Sequence, residues 1–291
     1  GIGMHLKKAA AGLAVFSAGI AAAGIWYGNR TVGLEPCSVV SSRLPEEFSG
    51  FTIAQVSDLH NAEFGQGNAR LLRQLRRSRP DVIAITGDLI DSRRTNLKTA
   101  LEFAGEAVKI APVLYVPGNH ESRIPGYERL KTGLEQLGVR VLQNKKLIWK
   151  KGGASIRFAG MADPDFKRNR GDARSREDIA AGQLCAFPKD PRFTVLLSHR
   201  PELFPVYAAF GADLTLSGHA HGGQFRLPGI GGLFAPGQGI LPEYTSGLYR
   251  IGPARMAVSR GLGRSEFPFR LGNRPEIKVI TLRKYDNLFS V

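Results

Sequence analysis

Short apolar runs recur along the chain, and many stop abruptly at a small polar cluster. Residues 51–57 read as a strand ending at Asp58-Leu59-His60, and residues 82–86, nearly all apolar, end at Gly87-Asp88. Residues 112–116 end at Gly118-Asn119-His120-Glu121. Between these runs the period shifts from strand-like to helical. Residues 68–79 place Leu71, Leu72 and Leu75 on one helical face, with Arg70, Arg73, Arg76, Arg77 and Arg79 largely on the others. A second helix is expected over 95–110, where Asp91 reads as a cap. Strand and helix thus alternate three times, with about thirty residues between clusters, the length of a βαβ unit. Such helical crossovers make the strands parallel and buried.

Farther along, the pattern predicts a helix near 127–137 and strands near 139–150 and 154–160. Strands near 193–197 and 213–216 end at Ser198-His199 and at Gly218-His219-Ala220-His221. The Gly- and Pro-rich last third carries strands near 246–251, 254–259 and 276–283, and no internal repeat is visible. Residues 163–178 form a charged loop. Three segments follow: 1–30 as a membrane anchor or signal, 31–50 as a polar linker, and 51–291 as one domain.

The clusters hold five of the six histidines. Ligands distant in sequence converge only where neighbouring strands terminate together, so this placement points to metal chemistry. Asp58, His60, Asp88, Asn119, His199, His219 and His221 offer oxygen and imidazole with no thiolate. That mixture suits Mn²⁺, Fe or Zn²⁺ better than Ca²⁺. Seven ligands exceed one ion's needs but suit two divalent ions sharing a carboxylate. Two such ions generate a hydroxide at neutral pH and clamp the oxygens of an in-line phosphoryl displacement.

Charge adds a second clue. The net charge of +15 favours an anionic partner: a phosphate-bearing substrate, nucleic acid or an acidic lipid surface. Cys37 and Cys185 cannot make a disulfide framework. Residues 9–27 carry no charge, and their length is about that of a membrane-spanning helix. The alternative is a signal peptide cleaved near Ala21-Ala22-Ala23. Lys7 and Lys8 favour a cytoplasmic N-terminus, but Arg30, Arg43 and the basic domain offset them, so the membrane face stays open.

In this order the clusters resemble the calcineurin-like metallophosphoesterase superfamily, whose pattern is Asp-x-His, Gly-Asp, Gly-Asn-His-Asp/Glu, a lone His and Gly-His-x-His. Every position is filled between about 51 and 221. The resemblance implies a two-sheet β-sandwich flanked by helices, the four-layer αββα metallophosphoesterase fold, here with an N-terminal membrane helix. It implies that Asp58, His60 and His221 bind one metal, that Asn119, His199 and His219 bind the other, and that Asp88 bridges them. His120 would be the acid that protonates or stabilises the leaving oxygen, oriented by Glu121. Asn61 is a candidate phosphate contact or a turn residue, and Arg168 and Arg170 are candidate substrate contacts.

Val56-Ser-Asp-Leu-His-Asn61, Leu197-Ser-His-Arg-Pro201, Gly218-His-Ala-His-Gly-Gly-Gln224 and the N-terminal segment are similar to bacterial membrane-associated YaeI/YkuE-like phosphoesterases. Some of those relatives hydrolyse the pyrophosphate of UDP-2,3-diacylglucosamine in lipid A biosynthesis, and others are cell-wall phosphoesterases. The expectation is a hydrolase of a phosphodiester or pyrophosphate bond, with Mn²⁺ the favoured metal, located at the cell membrane as an anchored or peripheral protein. A nuclease or cell-wall phosphodiesterase of the same superfamily, or a non-catalytic metal-binding scaffold, is the alternative. The arginine-rich stretches lack interleaved aromatics, which argues against single-stranded nucleic acid. Nothing in the sequence specifies a protein partner.

Overall fold

Apolar runs buried on both faces decide the architecture. The computed structural model describes residues 2–168, 171–227, 229–264 and 269–285. The chain opens with α1 (Ile2–Arg30), β1 (Gly33–Ser41), β2 (Thr52–Val56), α2 (Ala69–Ser78), β3 (Val82–Thr86), α3 (Leu97–Ala107) and β4 (Val113–Val116). It continues through α4 (Tyr127–Gln136), β5 (Arg140–Val141), β6 (Lys145–Lys151), β7 (Ala154–Gly160), α5 (Arg176–Cys185), β8 (Thr194–Leu197), α6 (Phe204–Phe210) and β9 (Leu214–Ser217). Two small hairpins follow, β10 (Arg226–Leu227) with β11 (Gly231–Gly232), and β12 (Phe234–Ala235) with β13 (Gly239–Ile240). β14 (Gly247–Ile251), β15 (Ala254–Val258) and β16 (Glu276–Lys284) complete the chain.

The long strands build two six-stranded sheets, ordered β1-β16-β2-β3-β4-β5 and β14-β15-β9-β8-β7-β6. β2, β3 and β4 run parallel, as do β7, β8 and β9, because a helix carries the chain back between each consecutive pair: α2, α3, α5 and α6 in turn. The inner faces meet through Ile53, Val82, Leu114, Phe158, Val195 and Leu214. Helices α2, α3 and α4 cover the outer face of the first sheet with Leu71, Phe103 and Leu130, and α5 and α6 cover the second with Leu184 and Phe204. The chain therefore adopts the expected mixed α/β arrangement of two packed sheets with flanking helices.

Three expectations need correcting. Residues 33–41, read as linker, form β1, which pairs in parallel with β16 from Gly33↔Glu276 to Ser41↔Lys284. Edge position explains the missed signal: Pro36 is tolerated there, and the strand's burial does not alternate cleanly. Leu44 and Phe48, also in the supposed linker, are fully buried. The strand expected over 139–150 is split into β5 and β6. Finally, α1 occupies the proposed membrane segment, but no helix among the described residues is long and apolar enough to cross a membrane. The run is uncharged yet rich in Ala and Gly, which contribute little apolar transfer energy.

Candidate metal centre

Five strands, β2, β3 and β4 of one sheet and β8 and β9 of the other, end on the same rim. The loops that leave them turn sharply. Asp58, His60, Asp88, His219 and His221 all have left-handed backbones, with φ between 48° and 63°. Non-glycine residues hold such angles at a cost of order 1–3 kcal/mol each, and persist where the surroundings over-determine them. Close backbone approach needs glycine at two neighbours. A Cβ on Gly118 would lie 2.2 Å from Asp88 Oδ1, and one on Gly218 would lie 2.3 Å from Asp58 Oδ2. The loops also bind one another across the sandwich, since the His219 N–H donates to the Asp58 carboxylate at 3.0 and 3.1 Å.

The seven candidate ligands converge as two overlapping groups. In the first, His60 Nε2 lies 3.1 Å from His221 Nε2, and Asp58 Oδ1 lies 3.4 Å from that same His221 nitrogen. In the second, His199 Nε2 lies 3.1 Å from Asn119 Oδ1 and 3.1 Å from Asp88 Oδ2, with His219 completing a cluster of donor atoms within 4.8 Å of one another. Asp88 Oδ2 is also 3.6 Å from His60 Nε2. One carboxylate oxygen therefore reaches both groups.

The donor chemistry fits cations. His199 Nδ1 faces the Thr86 carbonyl at 2.8 Å, so Nδ1 must carry a proton and donate it. That leaves Nε2 facing two oxygens, a position for either a proton or a cation. Burial works to lower the His199 pKa, but the Asp88 carboxylate, joined by Asp58 and Asp163, overrides it and holds the group at about 10. A proton fills the place that a metal ion would take. Burial lowers His60, His219 and His221; Arg200 adds to the effect at His219, while at His221 it is His60 and Arg270 that add to it. These three imidazoles are thus neutral and ready to ligate. Burial pushes Asp58 up to about 6, with Asp88 adding to the rise against His199. Burial also opposes ionisation of Asp88, but His199, His60 and His120 hold its carboxyl well below the usual range.

His120 stands at the mouth, its ring edge-on to His60 at 4.5 Å and its Nε2 3.9 Å from Asp88 Oδ2. Glu121 does not touch that ring, contrary to the expected pairing. Its buried carboxylate accepts backbone N–H groups from Asp88 (3.0 Å), Leu89 (2.7 Å), Ile90 (3.2 Å) and Gly118 (2.8 Å). Glu121 is therefore a clamp on the loops that carry Asp88 and Asn119. Burial, aided by Asp88, pushes its pKa up to about 8, against the pull of those N–H groups. His120 is oriented instead by Ser92, whose N–H donates to Nδ1 at 3.0 Å, and Asp91 Oδ1 lies 3.5 Å from the same nitrogen. Asp91 is not the cap of α3; Asn96 is, accepting from the Thr99 N–H at 3.2 Å.

Asn61 takes its turn-forming role. Its Oδ1 accepts the N–H groups of Asp91 and Asn96, both at 3.1 Å, and its Nδ2 donates to the Asn96 carbonyl at 2.7 Å. Arg168 is exposed and makes no described contact with the centre, while Arg170 lies outside the described residues. The loop around them is less basic than its composition suggests: Asp165 pairs with Arg176 at 2.7 Å, and Asp172 pairs with Arg174 at 2.6 Å. Sequence reasoning overlooked two buried cations behind the histidines. Arg200 Nη1 lies 3.3 Å from His219 Nε2 and is anchored by Asp163. Arg270 Nη2 lies 3.3 Å from His221 Nδ1 and donates to the Gly263 carbonyl. Adjacency to His199 could have flagged Arg200. Arg270, in the Gly- and Pro-rich tail, carried no local signal.

Known proteins resemble the chain over much of its length. The family model for the calcineurin-like phosphoesterase matches residues 51–223. Metallophosphoesterase YkuE of Bacillus subtilis is 30% identical over 256 residues, covering 84% of this chain and 84% of that protein. Phosphodiesterase YaeI of Escherichia coli is 28% identical over 211 residues, covering 70% and 71%. A Danio rerio transmembrane protein with a metallophosphoesterase domain is 28% identical over 251 residues, covering 83% of this chain and 55% of that protein.

Proposed function

The chain belongs to the calcineurin-like phosphoesterase family and is a metal-dependent phosphoester hydrolase, and on that footing we propose that it cleaves a phosphodiester or pyrophosphate bond in a lipid-linked or nucleotide-lipid substrate. The observation that carries the chemistry is the position of Asp88 Oδ2, 3.1 Å from His199 and 3.6 Å from His60. Asp58, His60 and His221 would hold one divalent ion and Asn119, His199 and His219 the other, with Asp88 shared; Mn²⁺ is the favoured ion. When bound, the ions supply Lewis acidity, lowering the pKa of water toward neutrality and neutralising the phosphoryl oxygens.

The chain's own groups do the rest. His120 holds a proton on Nε2, because the Ser92 N–H occupies Nδ1. Burial keeps that imidazole's pKa lowered, so the neutral ring serves as the donor to the leaving oxygen. Glu121 fixes the two loops from behind, so the ligands do not have to reorganise when charge develops. Arg200 and Arg270, buried behind His219 and His221, complement the negative charge of the carboxylates and of an incoming phosphate.

Support for a lipid-linked substrate and a membrane partner comes from α1 and its landing site. Leu13, Val15, Phe16, Ile20 and Trp26 are 59–74% exposed on that helix. Its last turn is tied to Arg270 in both directions, by Asn29 Nδ2 to the Arg270 carbonyl at 2.9 Å and by the Arg270 N–H to Asn29 Oδ1 at 2.8 Å. Exposed Phe269 and Leu271 flank that arginine, which itself touches His221. An apolar patch of this kind, beside a chain of charge +15, fits an acidic lipid surface next to the catalytic mouth.

The test is a comparison of Mn²⁺-loaded protein on a simple phosphodiester, a phosphomonoester, UDP-2,3-diacylglucosamine and single-stranded DNA. Preference for the diphosphate lipid over the simple diester by at least tenfold in kcat/KM supports the reading. Equal rates on DNA and the lipid would remove the lipid assignment while leaving the hydrolase intact.

A further inference from the structure

A well-formed cavity lies away from the candidate metal ligands. It has a volume of about 900 Å³ and lies at the other end of β8 and β9, under α5 and α6. Thr194, at the start of β8, is five residues before His199, roughly 16 Å along an extended strand. Leu184, Phe187, Val206 and Phe210 line the cavity, the two phenylalanine rings meeting edge-on at 5.8 Å. This volume is in the range of sites for small organic ligands, and the walls are mainly apolar.

One wall residue does not fit an empty apolar hollow. Arg157 lines the cavity yet is only 3% exposed. Its Nε donates to Thr194 Oγ1 at 3.0 Å, its Nη1 donates to the Pro188 carbonyl at 3.0 Å, and the guanidinium lies 5.2 Å above the Phe210 ring. These contacts fix the fork but do not neutralise it. The two acids that line the cavity are engaged elsewhere, Asp213 by Arg43 at 2.6 Å and Asp190 by Arg192 at 3.0 Å. Among the described residues, Arg157 has no carboxylate within 4.0 Å, and Nη2 has no hydrogen-bond partner. A buried cation with no carboxylate in direct contact is costly, and burial outweighs the more distant pull of Asp190 and Asp213 to lower its pKa. Arg43 and Lys189 are the other positive groups on the lining.

We propose that this cavity is a second ligand site, separate from the metal centre, for an amphipathic anion whose acidic group meets Arg157 and whose apolar body packs against Leu184, Phe187, Val206 and Phe210. A planar guanidinium pairs well with a carboxylate or sulfonate, and its place over an aromatic ring orients the fork toward the cavity. The ligand would rest on the starts of β8 and β9, the strands that deliver His199 and His219.

The probe is 8-anilinonaphthalene-1-sulfonate, an aromatic sulfonate that fluoresces in apolar surroundings, titrated into the full metal-loaded chain. Decanoate and decanol serve as competitors with and without charge, and inorganic phosphate serves as a competitor for the metal centre. Saturable binding is expected, displaced by decanoate at least tenfold more readily than by decanol and unaffected by phosphate. Arg157→Met should weaken it at least tenfold, and Ala209→Trp, which fills the cavity from an exposed lining position, should abolish it. Since Arg157→Met removes two structural hydrogen bonds, Ala209→Trp decides the matter if the first variant does not fold. Binding that survives Ala209→Trp, that yields to phosphate, or that yields equally to decanoate and decanol overturns the proposal.

Discussion

The backbone N–H of Ser92 donates to His120 Nδ1 at 3.0 Å, and this one hydrogen bond dictates where the His120 proton sits. With Nδ1 occupied as an acceptor, a neutral ring carries its hydrogen on Nε2, the nitrogen turned toward Asp88. His120→Ala removes that donor while leaving all seven candidate ligands in place. Turnover should fall by about 10²–10⁴-fold, the usual worth of a positioned proton donor. Metal content, measured by elemental analysis, should stay at the wild-type value; loss of metal in this variant would make His120 a ligand instead.

Asp88 and Asp58 should behave differently when altered. Asp88 Oδ2 lies 3.1 Å from the His199 ring and 3.6 Å from the His60 ring, whereas the imidazole nearest Asp58 Oδ1 is His221, at 3.4 Å, with His199 farther off at 3.9 Å. Asp88→Asn should weaken both ions and reduce hydrolysis by at least about 10³-fold, the scale expected when a shared metal ligand is lost. Asp58→Asn should weaken one ion far more than the other. Stepwise metal titration followed by calorimetry separates the two patterns.

Glu121 is a structural clamp, so its loss should appear first in stability. Glu121→Gln replaces one acceptor oxygen with an amide that confronts backbone N–H groups, and leaving buried donors unsatisfied costs about 1–3 kcal/mol. At about 2–4 °C per kcal/mol for a chain of this general size, the metal-free Tm should drop by about 2–12 °C. An unchanged Tm with a large fall in kcat would return Glu121 to a direct catalytic role.

The pH dependence of metal uptake follows from His199. Its pKa is held at about 10, so near neutrality the nitrogen needed for coordination is protonated. Metal entry must expel that proton, and affinity at the second group should rise with pH, by roughly tenfold per unit between about 7 and 9 from this group alone. Below about pH 6 the raised Asp58 pKa should steepen the loss of metal at the first group. Calorimetry in buffers of different ionisation enthalpy should register the released proton. Uptake without proton release would mean that His199 is already neutral.

How much of this was legible in the sequence depended on whether each signal was local. The strand ends bearing Asp58, Asp88, Asn119, His199 and His219 stood out because a mostly apolar run followed by a small residue, Gly or Ser, and then a ligand residue is a contiguous pattern. Helices α2, α3 and α4 were visible for the same reason, through their apolar periodicity. β1 was not, since an exposed edge containing Pro36 owes its existence to a partner about 240 residues away. Similarly, the role of Glu121 depends on four N–H groups from two loops that meet only in three dimensions, and the Arg270 contact with His221 spans 49 positions. The candidate ligands were thus readable, whereas the groups that orient them were not.

The insertion of β16 between β1 and β2 has a consequence for the order of events during synthesis. Glu276–Lys284 is the strand that lets β1 join the first sheet, and the segment before it supplies the Leu262 and Gly263 N–H groups that hold the Ser57 and Asp58 carbonyls at 3.0 and 2.6 Å. A ribosome that has released only the first 270 or so residues has made every candidate ligand, yet not the strand that closes the sheet behind Asp58. Pairings of such long sequence separation form late and slowly. The sheet that carries Asp58, Asp88 and Asn119 is therefore completed only once residues 276–284 have been inserted between β1 and β2.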